Sequence, residues 1–383
     1  MNRISSAVMG LVLASALILT GCASTANTAD NMSSKEQLAE VKNEAELYEA
    51  ALKEDTLIVY TVSTRITKVK EAFEKAYPGL SVEVRDLRSP DLVEAVWTNY
   101  DSGSGECDVV VCNDNSGSFY DRLVKTGAVV PYVPDDIRTN MEPDCVGDTI
   151  SFLIEADLFF YNTEKYEACP ISNIWELTDP KYEGKIYVPN PLRSFSTYAL
   201  FGSILDQSQV VEEAYTKLYG RELNLGEYNS ASELFLGELS KNVVFTNSSD
   251  EVYEALGTTE GKADFGIMVS SKLRMQDYGY SFEAITNLEP FCGCKSSYSV
   301  MLASRSKNVN AAKLFIWFLL GGSDGTGEGY KPFLTKGTWS ARTDVINEDA
   351  MYVPDNQLLI PDPLELSAKS AQMDEFFERI IKK

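Results

Sequence analysis

The feature that most constrains the fold is an alternation of strand-like and helix-like segments. Residues 57–62 form an apolar run typical of a buried strand, residues 66–76 have apolar positions at helical spacing, and residues 80–84 are again strand-like. Ser89-Pro90-Asp91 supplies a cap, a first-turn proline and a first-turn acid to the next helix. A further strand is predicted at residues 107–111. This βαβαβ order predicts a parallel sheet covered by helices.

One later segment is too long for a central strand of one small sheet. It spans residues 150–161, and we expect it to run between two lobes. A second α/β section follows, with predicted strands near 185–188, 243–245 and 264–268 and predicted helices near 197–205, 210–218, 230–239 and 251–256. A strand at 297–303 and a helix at 310–320 then predict a return to the first lobe.

These segments predict an α/β protein of two lobes. We expect the first lobe over residues 35–155, the second over 156–290, and the return over 291–320. A C-terminal helical segment, 321–383, is expected to pack on the second lobe.

The N-terminus has the pattern of a bacterial lipoprotein signal. Arg3 precedes an apolar stretch shorter than the roughly 20 residues that a membrane-spanning helix needs, and Leu19-Thr20-Gly21-Cys22 follows. A spanning helix or an ordinary cysteine would not explain both features together. We predict a signal peptide over residues 1–21 and a flexible tether over 22–34 that starts with lipidated Cys22. The mature protein would then be extracytoplasmic, anchored to the outer face of a membrane or in a periplasm.

Composition excludes several classes of function. The chain has 57 acidic and 34 basic residues, a net charge of −23, whereas a nucleic-acid surface needs clustered cations. It has no histidine, which removes Ser-His-Asp and Cys-His nucleophile systems and nearly all catalytic zinc sites. We therefore expect no enzymatic activity, no cofactor, no metal and no nucleic-acid partner.

The cysteines leave the redox state open. Six follow Cys22, and six cysteines allow 15 pairings, so buried thiols and disulfides both fit. They are Cys107, Cys112, Cys145, Cys169, Cys292 and Cys294.

Four stretches resemble the extracellular solute-binding proteins of ABC importers, in the branch that includes ferric-iron, thiamine, polyamine and phosphonate or sugar-phosphate binders. They are LYEAALKE at 47–54 running into LIVYT at 57–61, LTDPKYEGKI at 177–186, GKADFGI at 261–267 and NAAKLFI at 310–316. The resemblance implies the type 2 periplasmic-binding-protein fold, in which crossover strands join two α/β lobes around a ligand cleft. It also implies a small-molecule solute, a membrane permease that recognises the closed form, and a monomer.

Ligands of open α/β sheets lie beyond the carboxyl ends of the strands, where helices begin. Four loops meet this condition, and the same residues could instead be ordinary helix caps or turns. The candidate ligand-binding residues are Thr61, Ser63, Thr64 and Arg65; Asn113 and Asp114; Arg193, Ser194, Ser196 and Thr197; and Ser270 and Ser271.

The loop around Arg193 is the first choice, because a guanidinium and a helix N-terminus both suit phosphate or carboxylate. With Arg65 as a second cation, we expect an anionic solute such as a phosphate ester, a phosphonate or a ferric chelate. Ser270-Ser271 stands at about the place where the ferric-iron members have adjacent tyrosines, so direct capture of bare Fe(III) is not expected.

Two other readings remain open. The same receptor could bind a cation such as thiamine or a polyamine through Asp114 and aromatic side chains. Alternatively, the chain could be a surface lipoprotein with an enzymatic or structural role.

Overall fold

The computed structural model describes residues 42–113, 117–258, 260–348 and 357–382. The predicted signal peptide, the tether with Cys22, and Asp114 lie outside these ranges. Within them, no helix combines the length and the apolar character that a membrane crossing requires.

The helices and strands alternate along the described chain. In order they are α1 (Glu44–Ala51), β1 (Leu57–Thr61), α2 (Ile66–Ala76), β2 (Val82–Asp86), α3 (Ser89–Ser102), β3 (Val109–Asn113), β4 (Val129–Val130), α4 (Asp135–Arg138), β5 (Ser151–Asn162), β6 (Ile186–Pro189), α5 (Phe195–Leu205), α6 (Ser208–Tyr219), α7 (Ala231–Ser240), β7 (Val243–Thr246), α8 (Ser249–Leu256), β8 (Phe265–Val269), β9 (Phe282–Ala284), β10 (Gly293–Ala303), α9 (Val309–Leu319), β11 (Trp339–Ser340), β12 (Leu358–Leu359), α10 (Pro363–Ala368) and α11 (Ser370–Ile381).

One continuous sheet of order β2-β1-β3-β10-β5-β8-β6-β7 runs through both lobes. Strands β1, β2 and β3 pair in parallel in the first lobe, and β6 pairs in parallel with β7 and β8 in the second. The sequence therefore predicted the α/β class and the parallel pairing correctly, because both follow from the order of the elements.

Strands β5 and β10 are the two crossover strands. They pair antiparallel with each other from Gly293↔Leu158 to Tyr298↔Leu153. Beyond this stretch, β10 pairs with β3 of the first lobe, and β5 pairs with β8 of the second. The length of β5 was predicted. Strand β10 starts at Gly293, earlier than the predicted residue 297.

Both faces of the first-lobe sheet are buried. Val59 and Val111 lie in a core with α1, α2 and α9, and Val110 and Met301 lie on the opposite face against α3. Strands covered on both faces read as continuous apolar runs, which is why β1 and β3 are recognisable in the sequence.

The return helix α9 is held by a residue from the start of the chain. The carboxylate of Glu54 accepts hydrogen bonds from the backbone N–H groups of Asn310 and Ala311, at 3.0 and 2.8 Å. It thereby satisfies two of the free donors that every helix N-terminus presents. This contact packs α9 beside α1 in the first lobe.

The C-terminal segment, predicted to pack on the second lobe, is divided between the two lobes. Tyr330 and Phe333 are buried in the first-lobe core, whereas Met373 and Phe377 of α11 are buried in the second-lobe core. The spacing of apolar residues indicates that both parts pack against the protein, but it does not indicate which lobe each part contacts.

Asp108 ties three elements of the first lobe together. Its buried carboxylate accepts hydrogen bonds from Ile58 N (2.8 Å), Ser306 Oγ (2.7 Å) and Asn308 Nδ2 (3.0 Å). These bonds join β1, the start of β3 and the turn that leads from β10 into α9.

Asp108→Ala should lower the free energy of unfolding by about 3 kcal/mol, because it leaves buried donors without acceptors. Urea unfolding monitored by circular dichroism measures this loss. Asp101→Ala, on the exposed end of α3, is the control and should change stability by less than about 0.5 kcal/mol. Equal effects of the two substitutions would contradict the role of Asp108.

Candidate functional site

A cavity of about 330 Å³ lies between the two lobes. The first lobe lines it with residues 62–65, residues 86–89 and Asn113. The second lobe lines it with the loop around Arg193 and with residues 247–250. The carboxyl ends of the parallel strands from both lobes therefore face one another across this space.

Four helices begin at the cavity. Helices α2 and α3 start at Ile66 and Ser89 in the first lobe, and α5 and α8 start at Phe195 and Ser249 in the second. A helix N-terminus carries partial positive charge and free N–H groups. Their convergence gives the cavity an electropositive backbone.

Charged side chains add to this field. Five cationic residues line the cavity: Arg65, Arg88, Arg193, Lys272 and Arg274. Two carboxylates, those of Asp86 and Asp250, also line it. Lys272 pairs with Asp250 at 2.6 Å. In the described part of the chain, Arg88, Arg193 and Arg274 form no salt bridge.

Arg65 is held on three sides. Its Nη2 forms a close ion pair with Glu155 of β5, its Nε donates to Ser63 Oγ at 3.4 Å, and its guanidinium lies 4.8 Å from the centroid of the Phe333 ring. The side chain is only 9% exposed, and Nη1 has no hydrogen-bond partner in the structure. Arg65 is thus fixed in place at the cavity wall, with a buried Nη1 that has no partner of its own.

Lys272 and Arg274 come from the 3₁₀ helix Ser270–Tyr278 that follows β8. Burial lowers the pKa of both groups, and the charge of Arg65 is the next largest cause of the lowered pKa of Arg274. Arg274 Nη1 donates to the carbonyl of Ser271 at 2.6 Å. Two guanidinium groups, one from each lobe, therefore line the same cavity.

A second buried carboxylate lies on β5 below the cavity. Burial raises the pKa of Asp157 to about 7, although the hydroxyls of Ser196 and Thr197 oppose the shift, and the charge of Glu155 adds to it. Thr197 Oγ1 donates to Asp157 Oδ2 at 3.3 Å. The start of α5 is thereby attached to a crossover strand.

The structure brings most of the predicted residues together. Those that line the cavity are Ser63, Thr64, Arg65, Asn113, Arg193, Ser194, Ser196 and Ser271. Asp114 lies outside the described residues.

Three predicted residues have internal partners instead of a place on the cavity wall. Thr61 Oγ1 accepts from Ser63 N at 2.9 Å, and Thr197 bonds Asp157. Ser270 Oγ accepts from Ala156 N at 3.0 Å and donates to the carbonyl of Gly337. Their hydroxyls stabilise turns and strand crossings, because a buried hydroxyl takes the nearest backbone partner.

Several lining residues were missed by the sequence analysis. The loop after β7, with Ser248 capping α8, met the same strand-then-helix condition as the chosen loops and could have been found. Arg88 is the residue before Ser89-Pro90-Asp91, which was noted only as a helix start. Lys272 and Arg274 had no comparable signal, because an irregular turn decides where they point.

Five of the described cysteines are free thiols, namely Cys107, Cys145, Cys169, Cys292 and Cys294, and burial raises the pKa of Cys294 to about 12. Searched over the described ranges, the structure contains no cluster of three or more Cys, Asp or Glu side chains that could hold a metal ion.

Residues 60–323 match the model of the bacterial extracellular solute-binding protein family. The chain belongs to this family. It is a solute-binding protein of the ABC-importer type, and its family is one of transport proteins that are extracellular or periplasmic. No curated protein matches the chain.

Solved structures of periplasmic binding proteins share the fold. Iron-bound HitA from Pseudomonas aeruginosa is 17% identical, with a TM-score of 0.63 over 85% of this chain and 99% of that one. AfuA from Actinobacillus pleuropneumoniae, with fructose-6-phosphate bound, is 17% identical, with a TM-score of 0.67 over 86% and 99%. MotA from A. tumefaciens B6, in complex with glucopine, is 15% identical, with a TM-score of 0.62 over 85% and 99%. The type 2 periplasmic-binding-protein fold is therefore confirmed.

Asp157 should make stability depend on pH. Its pKa is raised from 3.8 in the unfolded chain to about 7 in the fold, so the stability it contributes is present at low pH and is lost as pH rises through that interval. Between about pH 5 and pH 8, ionisation of this group should lower the free energy of unfolding of the wild type by about 3 kcal/mol.

Asp157→Asn cannot ionise and should lack this loss. Urea unfolding of both proteins at the two pH values measures how much the free energy of unfolding of each one changes with pH. Parallel pH profiles would contradict the raised pKa.

Proposed function

We propose that the chain is a lipid-anchored, monomeric receptor of an ABC importer for a small anionic solute. The solute is a phosphate ester, a phosphonate or a ferric chelate. It binds between the lobes, favours their closure because it contacts both of them, and is delivered to a membrane permease.

The observation that carries the proposal is the reversal of charge at the cavity. The chain has a net charge of −23, yet its cavity is lined by five cationic side chains and two carboxylates. An acidic surface of this kind keeps a protein soluble. It does not explain why cationic side chains are concentrated in the cleft. An anionic ligand explains this concentration.

The geometry supports the same ligand class. The guanidinium of Arg65, which lines the cavity, is a group that forms charge-assisted hydrogen bonds with anionic oxygens. Around it, four helix N-termini offer further donors to the same oxygens. A cavity of about 330 Å³ is at the small end of ligand pockets, which suits a compact solute.

The structural comparisons are compatible with this chemistry. AfuA carries fructose-6-phosphate, and another structure of the same fold, from Trichodesmium, holds iron together with citrate. Both are 17% identical to this chain or less, so they support the ligand class without identifying the solute. Capture of bare Fe(III) has less support, because Ser270 and Ser271 stand in the region that provides tyrosines in ferric-iron binders.

The anchor has independent support from the N-terminal sequence. Leu19-Thr20-Gly21-Cys22 follows a short apolar stretch, and lipid attached at Cys22 would keep the receptor beside its permease. Lasting attachment takes more than one acyl chain, as bacterial lipoproteins carry.

Arg193→Ala should weaken binding of the anionic solute by about tenfold or more, because it removes a charged donor from the second-lobe wall. A thermal-shift screen with phosphates, sugar phosphates, phosphonates, ferric citrate, thiamine and polyamines first identifies a ligand. At 100 times its dissociation constant, that ligand should stabilise the protein by about 2.7 kcal/mol. Isothermal titration calorimetry then measures the variant.

Arg221→Ala is the matched control, since Arg221 is also an exposed arginine of the second lobe but lies outside the cavity lining. It should leave the affinity unchanged. If thiamine or a polyamine stabilises the protein and Arg193→Ala does not change this effect, the solute is a cation and the anion proposal is wrong. If no compound in the panel shifts the melting temperature, the proposed ligand class fails.

Cys22→Ser should move the protein from the membrane fraction to the soluble extracytoplasmic fraction of a bacterial host, because serine cannot receive the thioether-linked lipid. Fractionation followed by immunoblotting measures the distribution. Cys169→Ser, in the folded part of the chain, is the control and should stay with the membranes. Retention of the Cys22→Ser protein on membranes would argue against the anchor.

A further inference from the structure

Arg65 and Arg274 reach the same cavity from opposite lobes. Arg65 precedes α2 in the first lobe, and Arg274 lies on the 3₁₀ helix after β8 in the second. Glu155 of the crossover strand β5 is fully buried and pairs with Arg65. The three side chains therefore place two positive charges and one negative charge at the junction of the lobes.

The two guanidinium groups differ in their partners. Arg65 is neutralised in part by Glu155, and Arg274 bonds a backbone carbonyl and has no carboxylate partner among the described residues. Burial lowers the pKa of Arg274 and the positive charge of Arg65 lowers it further, while the charges of Glu155 and Asp250 oppose the shift. Among Arg65, Arg274 and Glu155, one positive charge is therefore left without a counter-charge.

We propose that Arg65 and Arg274 form a two-lobed clamp for one anionic group of the solute, and that their repulsion, moderated by Glu155, keeps the empty cleft from closing. This inference rests on the proposed anion-binding function and adds the regulation of the same site.

The repulsion acts against an apolar contact that favours closure. Phe195, at the start of α5 in the second lobe, is 7% exposed and packs in a first-lobe cluster with Leu92 and Val93. Burial of an aromatic ring favours the closed arrangement even without a ligand. An anion between the guanidinium groups replaces repulsion by two attractions, so the charge of the solute decides whether the lobes close.

The clamp makes opposite predictions for two neutral substitutions in the ligand-free protein. Arg274→Gln removes one of the repelling charges and should shift the population toward the closed form. Glu155→Gln removes the moderating charge and should shift it toward the open form. Small-angle X-ray scattering measures the change as a lower radius of gyration for the first variant and a higher one for the second.

A purely structural role would not give opposite signs, because loosened packing expands the protein in both cases. Arg65→Met/Glu155→Gln provides a variant that removes the buried pair as a unit, a change that buried ion pairs commonly tolerate. Its radius of gyration should be lower than that of the wild type, as is expected for Arg274→Gln. Arg221→Gln, outside the cavity lining, should leave the radius of gyration at the wild-type value.

Ligand binding gives the second half of the test. Arg274→Gln should weaken the anion identified for wild type by about 30-fold or more, although its ligand-free form is more compact. Shifts of equal sign for Arg274→Gln and Glu155→Gln, or an unchanged affinity of Arg274→Gln, would overturn the clamp.

The two proposals fail separately. If wild type binds no anion, the proposed function fails, whatever the scattering shows. If wild type binds an anion but the charge variants do not move the radius of gyration in opposite directions, only the clamp fails.

Discussion

The antiparallel pairing of β5 with β10 is the contact on which the rest of the structure depends. Each strand belongs to one lobe at one end and to the other lobe at the other end, so the sheet is continuous although the cores are separate. A two-stranded connection can twist and bend without losing its hydrogen bonds. It therefore joins the two lobes at the facing edges between which the cavity lies.

This connection also concentrates polar groups where they are expensive to bury. Glu155 and Asp157 lie on β5 with almost no exposure, and each is balanced by a residue from a lobe: Arg65 from the first and Thr197 from the second. The crossover strand thus holds the first turns of α2 and α5 in place. Those turns form opposite walls of the cavity, so the crossover strand and the cavity share the same interactions.

The cavity has a charge of opposite sign to that of the whole chain. The chain as a whole is acidic, and its cavity is cationic because four helix N-termini and five basic side chains converge there. Each basic residue belongs to a different turn or to one short 3₁₀ helix, and these segments are far apart in sequence. These basic residues contribute to one electrostatic field only because the two lobes face each other.

Much of the architecture was predictable from residue patterns. The apolar run of β1, the length of β5 and the apolar spacing of α2 are local signals with periods set by the backbone. The rule that ligands lie beyond strand ends then selected loops that do meet at one cavity. The same rule could not separate Ser63, on the cavity wall, from Thr61, whose hydroxyl is occupied by a backbone N–H, because both are hydroxyl residues of one turn.

By itself, the sequence determined the alternation of strands and helices, the two lobes and the family, since these depend on periodicity and on short motifs. It also determined, through the absence of histidine, which chemistry is excluded. The tertiary structure decided which charges share a cavity: Arg65 and Arg274 line it from distant segments, and Glu155 pairs with Arg65. Electrostatic interaction depends on distance and burial, and neither quantity can be read from positions along the chain.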